Sequence, residues 1–200
     1  RRSRRRPPRF RASFAGSMNG ASRGVLHLAA EQLQAALGPR QRGALALHFV
    51  QNDQERRRLA EEPGALLPQW FGGIDSFDGV LRASAHCLVL PGDVSDLALR
   101  FLHALSVGCT PVVVGGPSQT IPLPFADLVP YGRFARFATV HNVEDAVRLL
   151  RGLLDDRPPL RGELEDISGL FTHHVDCGFP SGAPFVRLLA RALEARAQLW

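Results

Sequence analysis

The sequence predicts an α/β fold, a doubly wound parallel sheet. Three observations carry the prediction. Short runs rich in Val, Leu and Phe alternate with longer runs of helix formers. Two of the short runs, HCLVLP (86–91) and TPVVVGG (110–116), are apolar on both faces, as strands buried between two helical layers are. Loops of Gly and small polar residues follow three of the strands and lead toward helix starts. No linker interrupts the alternation after residue 11 and no internal repeat is present. Residues 9–200 therefore read as one domain behind a basic linker, 1–8.

RFRASFAG (9–16) reads as the first strand, running into a small-residue loop, SMNGASRG (17–24). VLHLAAEQLQAAL (25–37) is a helix stopped by Gly38-Pro39. ALALHFV (44–50) is the second strand, and QNDQERRRLAEEPG (51–64) reads as polar and irregular, with room for one helical turn. DSFDGVLRAS (75–84) is a short helix with Asp75 or Ser76 as its cap. After the strand 86–91, Ser95 or Asp96 caps a helix over 97–107, which Gly108 ends in a left-handed conformation. The strand 110–116 and a Pro-rich loop (117–132) lead to a strand over 135–140. Asn142 and Asp145 resemble a capping box for the helix 143–156, whose Val147, Leu150 and Leu154 share one face. A last helix is expected at about 183–198.

Two hundred residues suffice for a core without staples, burying roughly 70% of the unfolded surface. The net charge of +5 is uneven. Seven of the 24 basic residues lie within residues 1–11, leaving 17 against 19 acidic ones, so the body is slightly acidic and the basicity is an arm. Such an Arg run suits nucleic acid or a nuclear import factor, or is a solvated linker. The absence of Lys marks a biased, Arg- and Ala-rich composition, and no nucleic-acid partner is expected. Three cysteines are too few for a disulfide framework, and Cys87 and Cys109, at strand starts, read as small buried hydrophobes. No apolar run reaches 18 residues, and a chain beginning at Arg reads as a fragment.

In an open parallel sheet ligands bind beyond the carboxyl ends of the strands. Three loops leave such ends here, 16–23, 92–96 and 115–125. Helix N-termini favour anions by roughly 0.3–1 kcal/mol from the dipole alone. Arg23 and Arg100, each near a helix start, suit an anionic ligand such as a nucleotide diphosphate. Spacing leaves the other reading equally open: Arg23 at the surface, and Arg100 paired with Asp93 or Asp96. His103, one turn beyond Arg100, either faces the same ligand or is satisfied in the core. The glycines of the dinucleotide and phosphate-loop motifs are missing, as is a G-x-S-x-G elbow. HHVDC (173–177) lacks a second half-site for zinc, and no D-x-D pair stands ready to hold a nucleotide-bound metal.

Three stretches resemble the C-terminal half of the exostosin-type glycosyltransferases, glycosyltransferase family 47, over Arg9 to about Arg196. RFRASFAGSMNGASRGVL (9–26) resembles the opening strand, F-x-G loop and following Arg. SAHCLVLPGDVSDLALRFLHALSVGCTPVVV (84–114) resembles the most specific stretch, S-x-F-C-L, a Gly loop, R-x-x-E-A and G-C-x-P-V. LPFADLVPYGRFARFATVHNVEDAVRLLRGL (123–153) resembles the P-F, strand and helix that follow.

The resemblance implies a Rossmann-like C-terminal domain of a GT-B enzyme, binding a UDP-sugar for inverting transfer to a glycan or polysaccharide acceptor. It implies a Golgi lumenal setting behind an N-terminal membrane anchor, no metal, and no cofactor beyond the UDP-sugar as co-substrate. A homo- or hetero-oligomer with another glycosyltransferase is a further expectation. Donor-site residues are expected to be Gly16, Arg23, Gly92, Ser95, Arg100 and His103, with Arg100 and His103 facing the donor cleft. His103 departs from the family's Glu, which would accept bonds from both ribose hydroxyls, whereas a neutral imidazole accepts one and donates one. The departure motivates an alternative, a non-catalytic homologue acting as a scaffold for a partner glycosyltransferase. No residue here is assigned as catalytic. The acceptor site and base are expected in a preceding N-terminal domain, so the isolated chain is expected not to turn over.

Overall fold

A computed structural model describes residues 7–18, 21–91, 97–116, 123 and 131–156. Five strands form one parallel sheet: β1 (Phe10–Ser17), β2 (Leu45–Val50), β3 (Ser84–Val89), β4 (Thr110–Gly115) and β5 (Arg136–Thr139). Their order is β2-β1-β3-β4-β5. The predicted doubly wound α/β architecture, a Rossmann-like arrangement consistent with GT-B, is therefore the observed one.

The two faces are set by the alternation along each strand. On one face, α1 (Ala21–Ala36) and α7 (Val143–Asp155) pack Leu26, Leu33, Leu150 and Leu153 against Phe14, Leu88, Val112 and Val114. On the other, α6 (Leu97–Ser106) packs Phe101 and Leu105 against Val89 and Val113. Beside it, α4 (Pro63–Trp70) and α5 (Phe77–Arg82) set Leu66, Leu67 and Val80 with Phe71 around Phe10, Ala46 and Val50. Every residue of β3 and β4 is buried, which explains why both runs are mostly apolar on both faces, with Ser84, His86 and Thr110 as buried polar exceptions.

The caps follow the sequence. The Ser76 hydroxyl accepts from Gly79 N–H at 3.2 Å, so Ser76 and not Asp75 caps α5. Gly108 ends α6 with φ +74°, where a Cβ would be strained. Asn142 Oδ1 accepts from Asp145 N–H at 2.9 Å, and Asp145 Oδ2 accepts from His141 N–H at 3.1 Å, a reciprocal box shifted by one residue. Asn142→Ala is expected to cost about 1 kcal/mol in chemical denaturation. A loss below a few tenths would show that α7 holds its start through packing alone.

Three expectations are corrected. Residues 51–64 are not irregular: α3 (Asp53–Glu61) is followed directly by α4, with a short α2 (Pro39–Arg42) begun by the Pro expected to be only a stop. Asn52 caps α3, accepting from Glu55 N–H at 2.7 Å, and Asp53 and Glu55 sit favourably in its first turn. α3 is almost wholly polar, so no apolar period marks it. α1 begins at Ala21, four residues before the predicted start, which puts Arg23 inside its first turn.

The third correction concerns cysteine. Cys87 and Cys109 are not free buried thiols but a disulfide, with Cα atoms 5.9 Å apart. Both are buried beside Ala104 and Val107, in the expected apolar setting, and the bond between them is the difference. The βαβ crossover through α6 brings the middle of β3 beside the residue that precedes β4, 22 residues away in sequence. The expected caps Ser95 and Asp96, most of the Pro-rich loop, the HHVDC stretch and the helix at 183–198 lie outside the described residues.

Candidate functional site

The chain passes from β1 to β2 on one side of the sheet and then to β3 on the other. The crevice beyond the carboxyl ends of β1 and β3 is thus the topological switch point. Arg23 lies across it. Its Nη1 donates to Ser17 O and Ser17 Oγ, each at 2.8 Å, and its Nη2 to Leu90 O at 3.4 Å. One guanidinium bonds to the ends of both strands, and only 4% of the residue is exposed.

Arg100 reaches the same rim from the opposite face. Its Nη1 donates to Ala15 O at 3.3 Å, and the residue is exposed. The two arginine carbons lie 5.7 Å (Arg23) and 5.9 Å (Arg100) from the centre of the Phe14 ring. Gly16 makes room for this approach. A Cβ there would stand 2.9 Å from Phe14 Cζ and 3.3 Å from Arg100 Nη1. The structure therefore gathers Gly16, Arg23 and Arg100 around one ring. Gly92 and Ser95 lie outside the described residues.

Below this rim, between α5 and α6, lies a cavity of about 240 Å³. Its floor is formed by residues 13–15 of β1 and 87–89 of β3, so Cys87, one half of the disulfide, borders it. Phe77, Val80 and Leu81 wall one side, and Arg100, His103 and Ala104 the other. The volume is below that of a typical drug-sized pocket and suits one ring of a larger ligand. Apolar walls with a cation at the edge favour a flat, weakly polar group attached to an anion.

His103 lines this cavity but does not stand alone. Its Nε2 is in hydrogen-bond contact with Asp78 Oδ1 from α5. Arg82 Nη2 stands 3.5 Å from the other carboxylate oxygen. The hydrogen bond from His103 holds the Asp78 carboxyl below the usual carboxylate range, outweighing the opposing effect of burial. Sequence reading missed Asp78. It lies 25 residues from His103 in a different helix, and no local pattern links the two.

A second polar cluster lies at the opposite edge of the sheet, near the strand starts. His86 Nε2 contacts Asp156 Oδ2 at 3.1 Å, Arg136 pairs with the same carboxylate, and Arg11 Nη1 donates to Asp156 O at 3.3 Å. His86 is fully buried, and burial pushes its imidazole down to about 4. Asp156 opposes that shift, while Arg136 and Arg11 reinforce it. This cluster fastens the end of α7 to the sheet. Among the described residues no group of three or more His, Cys, Asp or Glu is arranged to hold a metal ion.

No curated protein and no solved structure matches the chain. A family model described as the Exostosin GT47 domain matches residues 2–153, well over half of the sequence. That span contains the whole sheet, both arginines of the rim and the cavity between α5 and α6. The chain belongs to the exostosin GT47 glycosyltransferase family.

Proposed function

We propose that this chain is the donor-binding half of a glycosyltransferase, holding a UDP-sugar at the switch point for inverting transfer of a hexose or pentose to a glycan acceptor. The observation that carries the reading is Arg100, an exposed guanidinium steadied against the end of β1 beside a cavity over β1 and β3. Its planar fork suits diphosphate oxygens, and the apolar walls suit a pyrimidine ring. Arg23 keeps the rim in shape from beneath, and Gly16 allows close approach. The reading needs no metal and no cofactor other than the co-substrate itself. Acceptor binding and the catalytic base belong to a preceding domain, so this chain alone does not turn over. A second glycosyltransferase chain is its expected macromolecular partner, and nucleic acid is not.

The reading includes a Golgi lumenal location within a type II membrane protein. The Cys87–Cys109 bond supports it, because buried disulfides persist in oxidising compartments and are rare in reducing ones.

Calorimetric titration with UDP tests the donor reading. Arg100→Ala is expected to weaken UDP binding about thirty-fold, the size of one lost charge-assisted contact. Its melting temperature should stay nearly unchanged, because the side chain is exposed. Unaltered affinity in the variant would remove Arg100 from the site. No binding of UDP or UDP-sugars by the wild type would favour a non-catalytic scaffold for a partner glycosyltransferase.

A further inference from the structure

The contact between Asp78 and His103 joins the two helices that wall the cavity. A carboxylate can only accept a hydrogen bond, and the carboxyl of Asp78 is held ionised by this contact. The hydrogen must therefore sit on His103 Nε2. With Nε2 donating to Asp78, Nδ1 accepts in the neutral ring and donates in the protonated one, and a hydroxyl can meet either. Because Nε2 is engaged, Nδ1 is the ring's remaining polar atom for anything in the cavity that His103 lines. Among the described residues, the charged groups around this ring are Asp78 and Arg82 on α5 and Arg100 on α6.

We propose that Asp78 is a positioning residue: it fixes the orientation of His103, so that Nδ1 hydrogen-bonds to a ligand hydroxyl. This rests on the donor reading above, in which the ligand is a sugar nucleotide whose ribose supplies such hydroxyls. One directional hydrogen-bonding nitrogen distinguishes a ribose hydroxyl from the hydrogen of its deoxy counterpart. Stabilising the fold is a poor account of the pair. Both side chains are about half exposed, and exposed ion pairs add little to stability.

The test is a hydroxyl-by-variant cycle on the full chain, titrating UDP, 2′-deoxy-UDP and 3′-deoxy-UDP. The wild type is expected to prefer UDP over one of the two deoxy forms about tenfold. Asp78→Ala should reduce that preference to about two-fold, and His103→Ala should abolish it. Asp78→Asn should keep most of it, because the amide oxygen still accepts from Nε2–H. Melting temperatures of the variants confirm that each is folded. If Asp78→Ala weakens UDP and both deoxy forms equally, Asp78 acts on the structure and the proposal is overturned. It is also overturned if the wild type binds UDP without distinguishing either hydroxyl, an outcome that leaves the donor reading standing. If the wild type binds no UDP, the donor reading falls and the proposal falls with it.

Discussion

Replacing Cys87 and Cys109 together with alanine is expected to lower the unfolding free energy by about 3 kcal/mol. The corresponding fall in Tm is roughly 10 °C for a chain of this size. The bond closes a loop with a sequence separation of 22 that contains all of α6. Breaking it releases the unfolded chain from that constraint, and the gain in unfolded-state entropy is the main loss of stability. The folded state changes less. Both sulfurs are buried in a small apolar cluster with Ala104 and Val107, where two alanines leave only a modest void. The double variant is the informative one, since a single replacement leaves a lone thiol. Melting the wild type and the variant with and without reductant checks the expectation. Only the wild type should lose stability on reduction, and its denatured form should show two more reactive thiols afterwards. Identical melts under all conditions would mean that the bond does not form.

The second large effect is one of pH. In the folded chain the His86 imidazole is held down to about 4, against an ordinary value near 6.5. The unfolded chain therefore binds a proton in a range where the folded chain does not. The stability from keeping His86 neutral is complete above about pH 6.5, and it is lost as pH falls from there toward 4. At 1.36 kcal/mol per pH unit the total is about 3 kcal/mol. Two features make the neutral form the comfortable one. The ring is fully buried, and its Nδ1 has no hydrogen-bond partner among the described residues, as suits a bare lone pair rather than an N–H. His86→Gln, which can still donate to Asp156, should flatten the pH dependence of urea unfolding between pH 7.5 and 4.5. Other groups titrate in that range, so the difference between the two proteins is what counts. An equal slope in both would locate the acid sensitivity elsewhere.

The fold was legible because it rests on short-range patterns. Doubly apolar runs marked β3 and β4, Ser76, Gly108 and Asn142 marked helix ends, and the strand–helix alternation marked a parallel sheet. The polar helix α3 escaped because its sequence offers a cap and first-turn charges but no apolar period. Long-range pairings escaped for a different reason. Cys87 with Cys109, Asp78 with His103 and His86 with Asp156 are separated by 22, 25 and 70 residues. Each meeting depends on how crossovers lay one element beside another, which no window of sequence contains. At the rim, residue type and the Phe14 neighbourhood bring Gly16, Arg23 and Arg100 together, but not the division of labour between the two arginines. One is buried under main-chain carbonyls and the other faces outward, a difference that charge and spacing alone do not encode.

That division bears on how wide the crevice is. The guanidinium of Arg23 reaches both Ser17 and Leu90, so it works as a gauge block between two sheet halves that diverge at this point. A guest arriving there meets an aperture already set, and little ordering of the frame remains to oppose its entry. Lysine keeps the charge but has a single ammonium and no rigid fork, so it could satisfy one strand end well at a time and would let the gap drift.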